Sequence, residues 1–413
     1  MADRHRAVHE KIDRLLAIFP CVVILGPRQC GKTHLSKVIR PDWRYFDLEN
    51  PQTHDRIHDD LNFFFRQNPS EIIIDEAQTS PDLFRTLRGV IDSDRSKNNR
   101  FILTGSSSPA LIEQASESLA GRVAMVELAP FKVTELHQKE PSPFYGLFER
   151  TLSPQDSDEI MSFRSTITLD QVLQSLLRGG YPTPVLADDP FVHKNWMEQY
   201  FNTYVFRDIR ALFPKLDSTR YRRFIHMLSS LSGTIVNRSQ LGRSLDLDEK
   251  SVRNYLEIAH GTMFWRSIPA FHSSKIKSVQ KMPKGILRDS GLLAYLQGID
   301  TMEQLDNSPL VGQSFESFVT EEILRGIQAA KTVRWDYSYY RTRSGVEVDL
   351  VLSGEFGLLP VEIKYGTSTR LKTLTSLQGF IRDYDLPYGI VINNSERVER
   401  LSDKIFQIPS TLI

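Results

Sequence analysis

Apolar runs and helix-like segments alternate along the N-terminal part of the chain. Between residues 21 and 128 the strand-like runs read CVVIL, WRYFDL, EIIID, RFILTG and VAMVEL. Segments that suit helices, such as PDLFRTLRGVID, lie between them. Short continuous apolar runs are typical of strands that are buried on both faces. The pattern therefore predicts an α/β fold in which helices cover a parallel sheet.

Two changes of pattern follow. From about residue 130 to residue 215 the chain is helical in character, with interruptions at EPSPF and SPQDSD. Three short helical segments and an apolar ribbon come next, an order typical of a winged helix-turn-helix. A helix, GQSFESFVTEEIL, then precedes a meander of strands, YRTRSGVEVDLVLSGEFGLLPVEIKYG. We expect four segments, 1–135, 136–215, 216–300 and 301–413.

Composition adds a few limits. The chain has 413 residues, which is room for two or three domains of about 150 residues each. Lys plus Arg and Asp plus Glu both number 51, so binding to nucleic acid would need a local basic patch. The two cysteines form no disulfide framework, and the sequence shows neither an apolar leader nor a membrane-length apolar run. We therefore expect a cytoplasmic protein that does not contact a membrane.

The stretch GPRQCGKTH, directly after CVVIL, carries the first chemical signal. It contains G-x-x-x-x-G-K-[ST], in which glycines let backbone N–H groups point inward at a phosphate. Lys32 would reach the terminal phosphates, and the Thr33 hydroxyl would hold Mg²⁺ beside the N-terminus of the next helix. The strand–loop–helix setting predicts an ATP site with Mg²⁺ rather than a chance match in a surface loop. The residues of this predicted site are Gly26, Pro27, Arg28, Gln29, Cys30, Gly31, Lys32, Thr33 and His34.

EIIIDEAQ is the second informative stretch, because a nucleotide hydrolase needs carboxylates at the end of a buried strand. Asp75 suits the metal-holding role, and Glu76 suits the group that orients or deprotonates the attacking water. The run RFILTGSSS then ends a strand in hydroxyl groups. Thr104 or Ser106 is a candidate sensor of the γ-phosphate, although such residues also simply form turns.

The segment EKSVRNYLEIAH is the predicted recognition helix of the winged helix-turn-helix. Its early turns carry Lys250, Arg253 and Asn254, which are candidates for contact with DNA. A stripe of basic residues without acidic ones follows it; the stripe comprises Arg266, Lys275, Lys277, Lys281, Lys284 and Arg288. Such a stripe beside a winged helix is a typical footprint for nucleic acid. The alternative is a winged helix that contacts protein, with its lysines solvated.

The C-terminal strands carry acidic residues and a lysine in a set order. Asp349 lies on one predicted strand, and Glu362 and Lys364 lie two apart on the next, hence on the same face. Asp349 and Glu362 could share a divalent metal, with Glu316 of the preceding helix close by. Lys364 would position a water or stabilise the charge that develops on a phosphodiester. An alternating run such as VEIK is by itself a common strand pattern.

The N-terminal part resembles the AAA-type ATPases through its phosphate loop, the pair Asp75 and Glu76, and Thr104 at the sensor position. The resemblance implies homo-oligomeric rings, a hexamer being one option, in which a neighbour's arginine reaches the γ-phosphate. Arg122 in LAGRVAMVEL is the candidate for this arginine finger, and Arg100 and Arg178 are weaker ones.

The C-terminal set Glu316, Asp349, Glu362 and Lys364 resembles the restriction-endonuclease-like nucleases, whose signature is D…E-x-K after a helix with an acid. Taken whole, the chain resembles a prokaryotic family of AAA ATPases with a C-terminal domain of unknown function. Further stretches that carry this resemblance are LTGSSSP, RGGYP, TYVFRDI, RSQLGRSL, VRNYLEI and ILRDSGLLAYL. It implies a P-loop ATPase core with a helical lid, then a winged helix, then a restriction-endonuclease-like α/β domain.

Two functions remain open at this point. One is an ATP-hydrolysing motor that binds and remodels DNA, with a metal-dependent nuclease domain at its end. The other is a signalling or assembly switch, in which ATP sets the oligomeric state and the C-terminal fold docks partners without catalysis. The restriction-endonuclease-like fold permits either, since a fold is often retained after its chemistry is lost.

Overall fold

The chain divides into two compact units in a computed structural model. The residues that it describes are 4–106, 117–271, 282–342 and 345–413. The first unit comprises Met1–Pro130 with Gly261–Met263, and the second comprises Phe131–His260 with Phe264–Ile413. The finer division into four segments remains a prediction. Within the described ranges, none of the helices combines the length and apolar character needed to cross a membrane.

A five-stranded parallel sheet forms the centre of the first unit, with strand order β2-β3-β4-β1-β5. Its strands are β1 (Cys21–Gly26), β2 (Arg44–Asp47), β3 (Ile72–Asp75), β4 (Phe101–Ser106) and β5 (Val123–Glu127). They fall on the five apolar runs of the sequence. Every residue of β1 and β3 is buried, which explains why those two runs are apolar without interruption. The predicted parallel α/β arrangement is confirmed for this unit.

One described helix precedes β1 and four others connect successive strands, and each of them buries apolar residues. Their bounds are His9–Ile18, Lys32–Ile39, Pro51–His58, Leu61–Gln67 and Pro81–Asp92. The last of them buries Leu83, Phe84, Leu87 and Ile91, whose spacing places them on one helix face. The sheet register pairs residues at the ends of β1 and β4 and at the ends of β2 and β3. The carboxyl ends of four strands therefore meet at one edge, where parallel sheets bind ligands.

Helices also form most of the second unit before its last sheet. Their bounds are Val133–Leu136, Asp156–Ser162, Leu169–Arg178, Pro182–Val185, Pro190–Thr203, Arg210–Leu212, Ser218–Ser230, Arg238–Leu245, Glu249–Gly261, Ser290–Gln297 and Met302–Asp306. A π-helix, Tyr204–Ile209, continues the helix that ends at Thr203. The helical character expected after residue 130 is thus present.

A small antiparallel sheet is interleaved with three of these helices. Its strands are β6 (Thr234–Ile235), β7 (Trp265–Ile268) and β8 (Lys284–Leu287), in the order β6-β8-β7. Along the described chain from residue 218 the elements run helix, strand, helix, helix, strand, strand. The helix and ribbon segments expected from the sequence occur in that order, and the assignment of a winged helix stays a prediction.

A six-stranded mixed sheet closes the chain, with strand order β13-β14-β12-β11-β10-β9. The strands are β9 (Asp336–Arg341), β10 (Glu347–Gly354), β11 (Gly357–Ile363), β12 (Gly389–Asn393), β13 (Glu399–Ser402) and β14 (Ile405–Pro409). Strands β9 to β11 form the expected meander, and helix Thr375–Asp383 connects β11 to the parallel strand β12. Helix Val311–Ala329 shares a core with this sheet through residues such as Phe315 and Ile323. Glu316 of this helix thereby comes close to Asp349 on β10.

Candidate nucleotide-binding site and C-terminal acid cluster

The phosphate loop needs glycine at both of its signature positions. A Cβ atom at Gly26 would lie 2.3 Å from the carbonyl oxygen of Leu128 and 2.8 Å from the sulfur of Cys30. Gly31 has a φ of 100°, in the left-handed region that favours glycine, and it immediately precedes the next helix. Gln29 also has a positive φ, 61°. The backbone therefore curls tightly between β1 and the helix, as a loop that receives a phosphate must.

The side chain of Lys32 folds back over this loop. Its ammonium donates hydrogen bonds to the carbonyl oxygens of Gly26 at 3.1 Å and Pro27 at 3.0 Å, and the residue is 5% exposed. A buried ammonium beside a curled backbone and a helix N-terminus fits an anionic phosphate ligand. The loop residues therefore fit the bound nucleotide that the sequence predicts.

The remaining loop residues differ in their surroundings. Cys30 is fully buried, and its thiol donates to the carbonyl oxygen of Leu128 at 3.3 Å, so a cysteine is accommodated inside the loop. Burial raises the pKa of the Cys30 thiol, which keeps it neutral. The guanidinium of Arg28 lies 3.3 Å from a carboxylate oxygen of Glu49, and His34 is exposed on the helix. None of these contacts assigns Arg28 or His34 a role in binding.

Asp75 is the hub of polar contacts at the end of β3. Its Oδ2 accepts hydrogen bonds from the hydroxyl groups of Thr33 at 2.6 Å and Tyr45 at 2.7 Å, and its Oδ1 accepts from Thr104. The carboxylate is 4% exposed. Hydroxyl and carboxylate oxygens are the hard ligands that Mg²⁺ prefers, so Thr33 and Asp75 fit that ion. Sequence reasoning missed Tyr45, although WRYFDL places a hydroxyl on the strand that follows the loop helix.

Glu76 lies next to this hub in an unusual backbone conformation. Its φ is 54°, left-handed for a residue with a side chain, which typically costs about 1 to 3 kcal/mol. The side-chain amide of Gln78 and the hydroxyl of Ser106, the latter at 3.2 Å, both donate to its Oε2. The two candidate sensors thus contact different acids. Thr104 contacts Asp75, the predicted metal ligand, and Ser106 contacts Glu76, the residue predicted to orient water. Gln78 is a second contact that the sequence did not predict.

The three candidate finger arginines all make contacts within their own unit. Arg122 donates to both carboxylate oxygens of Asp92, at 2.7 and 3.0 Å. Arg100 donates to the carbonyl oxygen of Pro69 at 2.8 and 3.0 Å, and Arg178 donates to two backbone carbonyl oxygens at 2.8 and 3.0 Å. The assignment of Arg122 as the finger stays a prediction.

The predicted recognition helix, Glu249–Gly261, exposes the residues that were expected to contact DNA. Lys250, Arg253 and Asn254 are all exposed, while residues such as Val252 on the other face are buried. A helix with one polar exposed face and one buried face suits contact with a partner. Whether that partner is DNA stays a prediction.

The described members of the basic stripe beside this helix are buried. Three of its members, Lys275, Lys277 and Lys281, lie outside the described residues. The other three, Arg266, Lys284 and Arg288, are at most 8% exposed. Arg266 and Arg288 pair with Glu321, and Lys284 pairs with Glu316. The expectation that these three residues face DNA is wrong, because each of them is buried and pairs with a carboxylate.

The C-terminal acids come together where β10 and β11 lie side by side. The backbone N–H of Ile363 donates to Oδ2 of Asp349 at 2.8 Å. The ammonium of Lys364 lies 2.7 Å from Oε1 of Glu362 and 3.6 Å from Oδ2 of Asp349. Oε2 of Glu362 is buried and accepts no hydrogen bond from the part of the chain that the structure describes, and the residue is 7% exposed. The predicted same-face arrangement of Glu362 and Lys364 beside Asp349 is present.

Glu316 and Lys284 complete this acid cluster. The ammonium of Lys284 contacts the carboxylate of Glu316 and lies 3.9 Å from Oδ1 of Asp349. Burial, with the charge of Asp349, raises the pKa of Glu316 to about 8 and that of Glu362 to about 7. No group of three His, Cys, Asp or Glu side chains in the described part of the chain is placed to hold a metal ion. The predicted metal ligands Asp349 and Glu362 therefore stay a prediction, and Lys284 is a member of the cluster that the sequence did not reveal.

Comparison with protein families divides the chain in three. Residues 19–137 match the AAA domain family, residues 169–303 match a domain of unknown function (DUF8612), and residues 311–413 match another domain of unknown function (DUF4143). The first match covers the phosphate loop and the strand that ends in Asp75, so this part of the chain is an AAA-type P-loop ATPase domain. The other two matches assign no chemistry.

Two relatives that match the full length of this chain are uncharacterized proteins. Proteins of Mycobacterium bovis and Mycobacterium tuberculosis are each 30% identical over 416 residues, covering 100% of this chain and 85% of the relative. Among solved structures, a Walker-type ATPase of Pyrococcus abyssi is similar with a TM-score of 0.45 and 15% identity, covering 72% of this chain and 96% of that one.

Proposed function

The chain belongs to the family of those uncharacterized mycobacterial proteins, and from this premise we propose that it is an ATP-hydrolysing AAA-type protein that acts on DNA. The observation that carries the proposal is the 2.6 Å hydrogen bond from Thr33 to Asp75. This bond joins the phosphate loop to the strand-end acid at one point, which is where a nucleotide hydrolase needs its metal ligands.

Each residue at this edge of the sheet has a distinct task in the proposal. Lys32 and the loop N–H groups bind the β- and γ-phosphates, while Thr33 and Asp75 would hold Mg²⁺. The ion supplies positive charge to the phosphate oxygens. Glu76, oriented by its two hydrogen-bond donors, accepts the proton of the attacking water or fixes its direction. Ordering of Glu76 before the substrate arrives favours this role, because preorganised groups lower the barrier without further rearrangement.

The test separates binding from turnover. Lys32→Ala is expected to lose most nucleotide affinity, because the phosphates lose their cation. Glu76→Gln is expected to bind ATP like the wild type but turn it over slowly, because the amide cannot accept a proton. Glu10→Gln, at an exposed carboxylate that pairs with Arg14 on the same helix, is the matched control and should leave both quantities unchanged. Wild-type turnover by Glu76→Gln would remove Glu76 from the mechanism.

The DNA part of the proposal is supported by the order of elements from residue 218 to residue 287. Helix, strand, two helices and a strand pair are the order of a winged helix, with Glu249–Gly261 in the recognition position. The alternative is an ATP-driven assembly switch, in which this face contacts protein. Incubation of purified protein with linear and branched DNA, with and without ATP, distinguishes them by binding and unwinding. Assembly into rings, by analogy with AAA ATPases, belongs to the same proposal.

A metal-dependent nuclease is a second candidate function for the C-terminal domain. It is favoured by the buried, unpartnered Oε2 of Glu362 beside Asp349 and Lys364. A live nuclease would cut DNA only with Mg²⁺ or Mn²⁺, and Asp349→Asn, Glu362→Gln and Lys364→Ala would each abolish cutting while ATP hydrolysis continues. Glu355→Gln, at an exposed carboxylate nearby on the chain, is the control. If the wild type cuts no DNA with either ion, the domain is a docking module.

A further inference from the structure

A lysine from outside the C-terminal sheet lies in the acid cluster. Lys284 belongs to β8, whereas Asp349 lies on β10 and Glu316 on helix Val311–Ala329. The Lys284 side chain is 2% exposed, and its ammonium contacts Glu316, lies 3.5 Å from Oε1 of Glu347 and 3.9 Å from Oδ1 of Asp349. An ammonium buried among three carboxylates is an internal cation.

The backbone of Lys284 is firmly held. Strand β8 is the central strand of its sheet, and Lys284 pairs with Ile235 on one side and Ile268 on the other. The next residue, Gly285, lies so close to Trp265 that a Cβ atom there would be 2.1 Å from the indole ring. The position of the ammonium is therefore set by a packed sheet and not by a surface loop.

The Lys284 ammonium offsets the negative charge of the acidic residues around it. Without Lys284, the carboxylates of Glu316, Asp349 and Glu362 would face the single ammonium of Lys364. Carboxyl groups would then outnumber the cations around them, and an excess of oxygen ligands is what a divalent cation requires. The Glu362 side chain, more than nine-tenths buried, also has one carboxylate oxygen to which none of the described residues donates a hydrogen bond. That oxygen is a ligand position that the present contacts do not use.

We propose that Lys284 is a built-in cation that occupies the place of a divalent metal in this cluster. The wild-type cluster then excludes Mg²⁺ and Mn²⁺, and removal of the ammonium lets the carboxylates of Glu316, Asp349 and Glu362 move together around a metal ion. This inference goes beyond the proposed ATP hydrolysis and runs against the second candidate function, because a cluster that excludes the metal ion would not cut DNA. Its test measures metal binding, so its failure leaves the proposed ATP hydrolysis untouched. It accounts for a nuclease-like set of acids in which the described chain offers no ready metal site.

The test compares Mn²⁺ binding by full-length variants without nucleotide. Lys284→Met keeps the apolar stem and removes the charge, and Lys284→Met with Asp349→Asn removes a proposed ligand as well. Lys331→Met, at an exposed lysine of the same unit, is the matched control. The electron paramagnetic resonance signal of free Mn²⁺ gives the number of bound ions, and thermal unfolding followed by circular dichroism gives the melting temperature. The phosphate loop is the same in all variants, so its contribution cancels.

We expect Lys284→Met to bind one Mn²⁺ ion more than the wild type does, with an affinity about tenfold higher than that of the double variant. Mn²⁺ should raise the melting temperature of Lys284→Met, but not that of the double variant or Lys331→Met. Mn²⁺ binding by the wild type that Asp349→Asn abolishes would overturn the inference, as would a folded Lys284→Met that gains no ion. If Lys284→Met does not fold alone, cooperative melting restored by Mn²⁺ supports the inference, and failure of Mn²⁺ to restore it overturns the inference.

Discussion

The phenol of Tyr45 and the hydroxyl of Thr33 donate to the same oxygen of Asp75, at 2.7 and 2.6 Å. Tyr45 reaches this oxygen because β2 lies beside β3 in the sheet. Burial, together with its hydrogen bond to Asp75, raises the pKa of Tyr45, so the phenol remains a donor at neutral pH. The ammonium of Lys37 lies 3.5 Å from the centre of the Tyr45 ring. Tyr45 is therefore a positioning residue for the acid proposed to hold the metal.

Tyr45→Phe is expected to raise the Mg²⁺ concentration that gives half-maximal ATP hydrolysis by about tenfold, because loss of a residue that orients a metal ligand weakens metal binding. Turnover at saturating Mg²⁺ should change little, since Asp75 keeps its bonds to Thr33 and Thr104. Steady-state hydrolysis over a Mg²⁺ titration measures both quantities. Tyr384→Phe, in the second unit, is the control. If the Mg²⁺ dependence of hydrolysis is unchanged in Tyr45→Phe, Tyr45 does not position Asp75 for metal binding.

Arg122→Ala is expected to bind ATP normally but to lower kcat by about a thousandfold, if Arg122 serves a neighbouring subunit as its finger. Arg122 is paired with Asp92, so a structural role must be separated from this one. Asp92→Asn breaks the same ion pair and leaves the guanidinium available. Turnover at several protein concentrations checks the prediction, since trans catalysis falls on dilution. Equal losses in Arg122→Ala and Asp92→Asn would show that only the ion pair matters.

Lys250→Glu combined with Arg253→Glu is expected to weaken DNA binding at low salt and to flatten its salt dependence. Each lost phosphate contact removes about one unit from the slope of log affinity against log salt, hence about two units for the pair. Both side chains are exposed, so folding should not change. Fluorescence anisotropy of labelled duplex DNA at several salt concentrations gives the slope. The control combines Lys331→Glu with Lys97→Glu, which changes the net charge by the same amount at positions outside the helix. If the double variant of the helix has the same salt slope as this control, the helix does not face DNA.

Glu321→Gln is expected to lower the free energy of unfolding by about 3 to 5 kcal/mol, because it leaves buried guanidinium groups uncompensated. Arg288 and Arg325 each lie 3.3 Å from the Glu321 carboxylate, and Arg266 pairs with it as well. Burial alone would raise the pKa of Glu321, but these three arginines lower it to about 2.

The same pKa predicts a dependence of stability on pH. Because the folded pKa of about 2 lies below the ordinary value of 4.5, the stabilisation is complete above pH 4.5 and is lost as the pH falls toward 2. Melting temperatures of the wild type should therefore fall more steeply over that range than those of Glu321→Gln. Glu396→Gln, at an exposed carboxylate, should follow the wild type. Parallel curves for the wild type and Glu321→Gln would contradict the low pKa.

The sequence by itself determined the features that depend on contiguous residues. The phosphate loop has a local signature, since the left-handed backbone at Gly31 and the contact of Gly26 with Cys30 act within a few residues of chain, although Gly26 also lies against the distant Leu128. The apolar runs became strands, and Asp75 came to lie at the end of one, because burial on both faces demands unbroken apolar character. The order of Asp349, Glu362 and Lys364 predicted a shared face, because side chains alternate along a strand.

Only the tertiary structure decided which distant charges meet. Tyr45 reached Asp75 through the sheet order β2-β3-β4-β1-β5, which no local pattern specifies. Arg122 met Asp92, and Lys284 met Glu316, across 30 and 32 residues of sequence. In the sequence Lys284 looked like a solvated cation, because an ion pair leaves no periodic signature along the chain. In the folded chain Lys284 is buried, and a charge removed from water must lie beside an opposite charge. The packing of β8 determines which carboxylates the Lys284 ammonium meets.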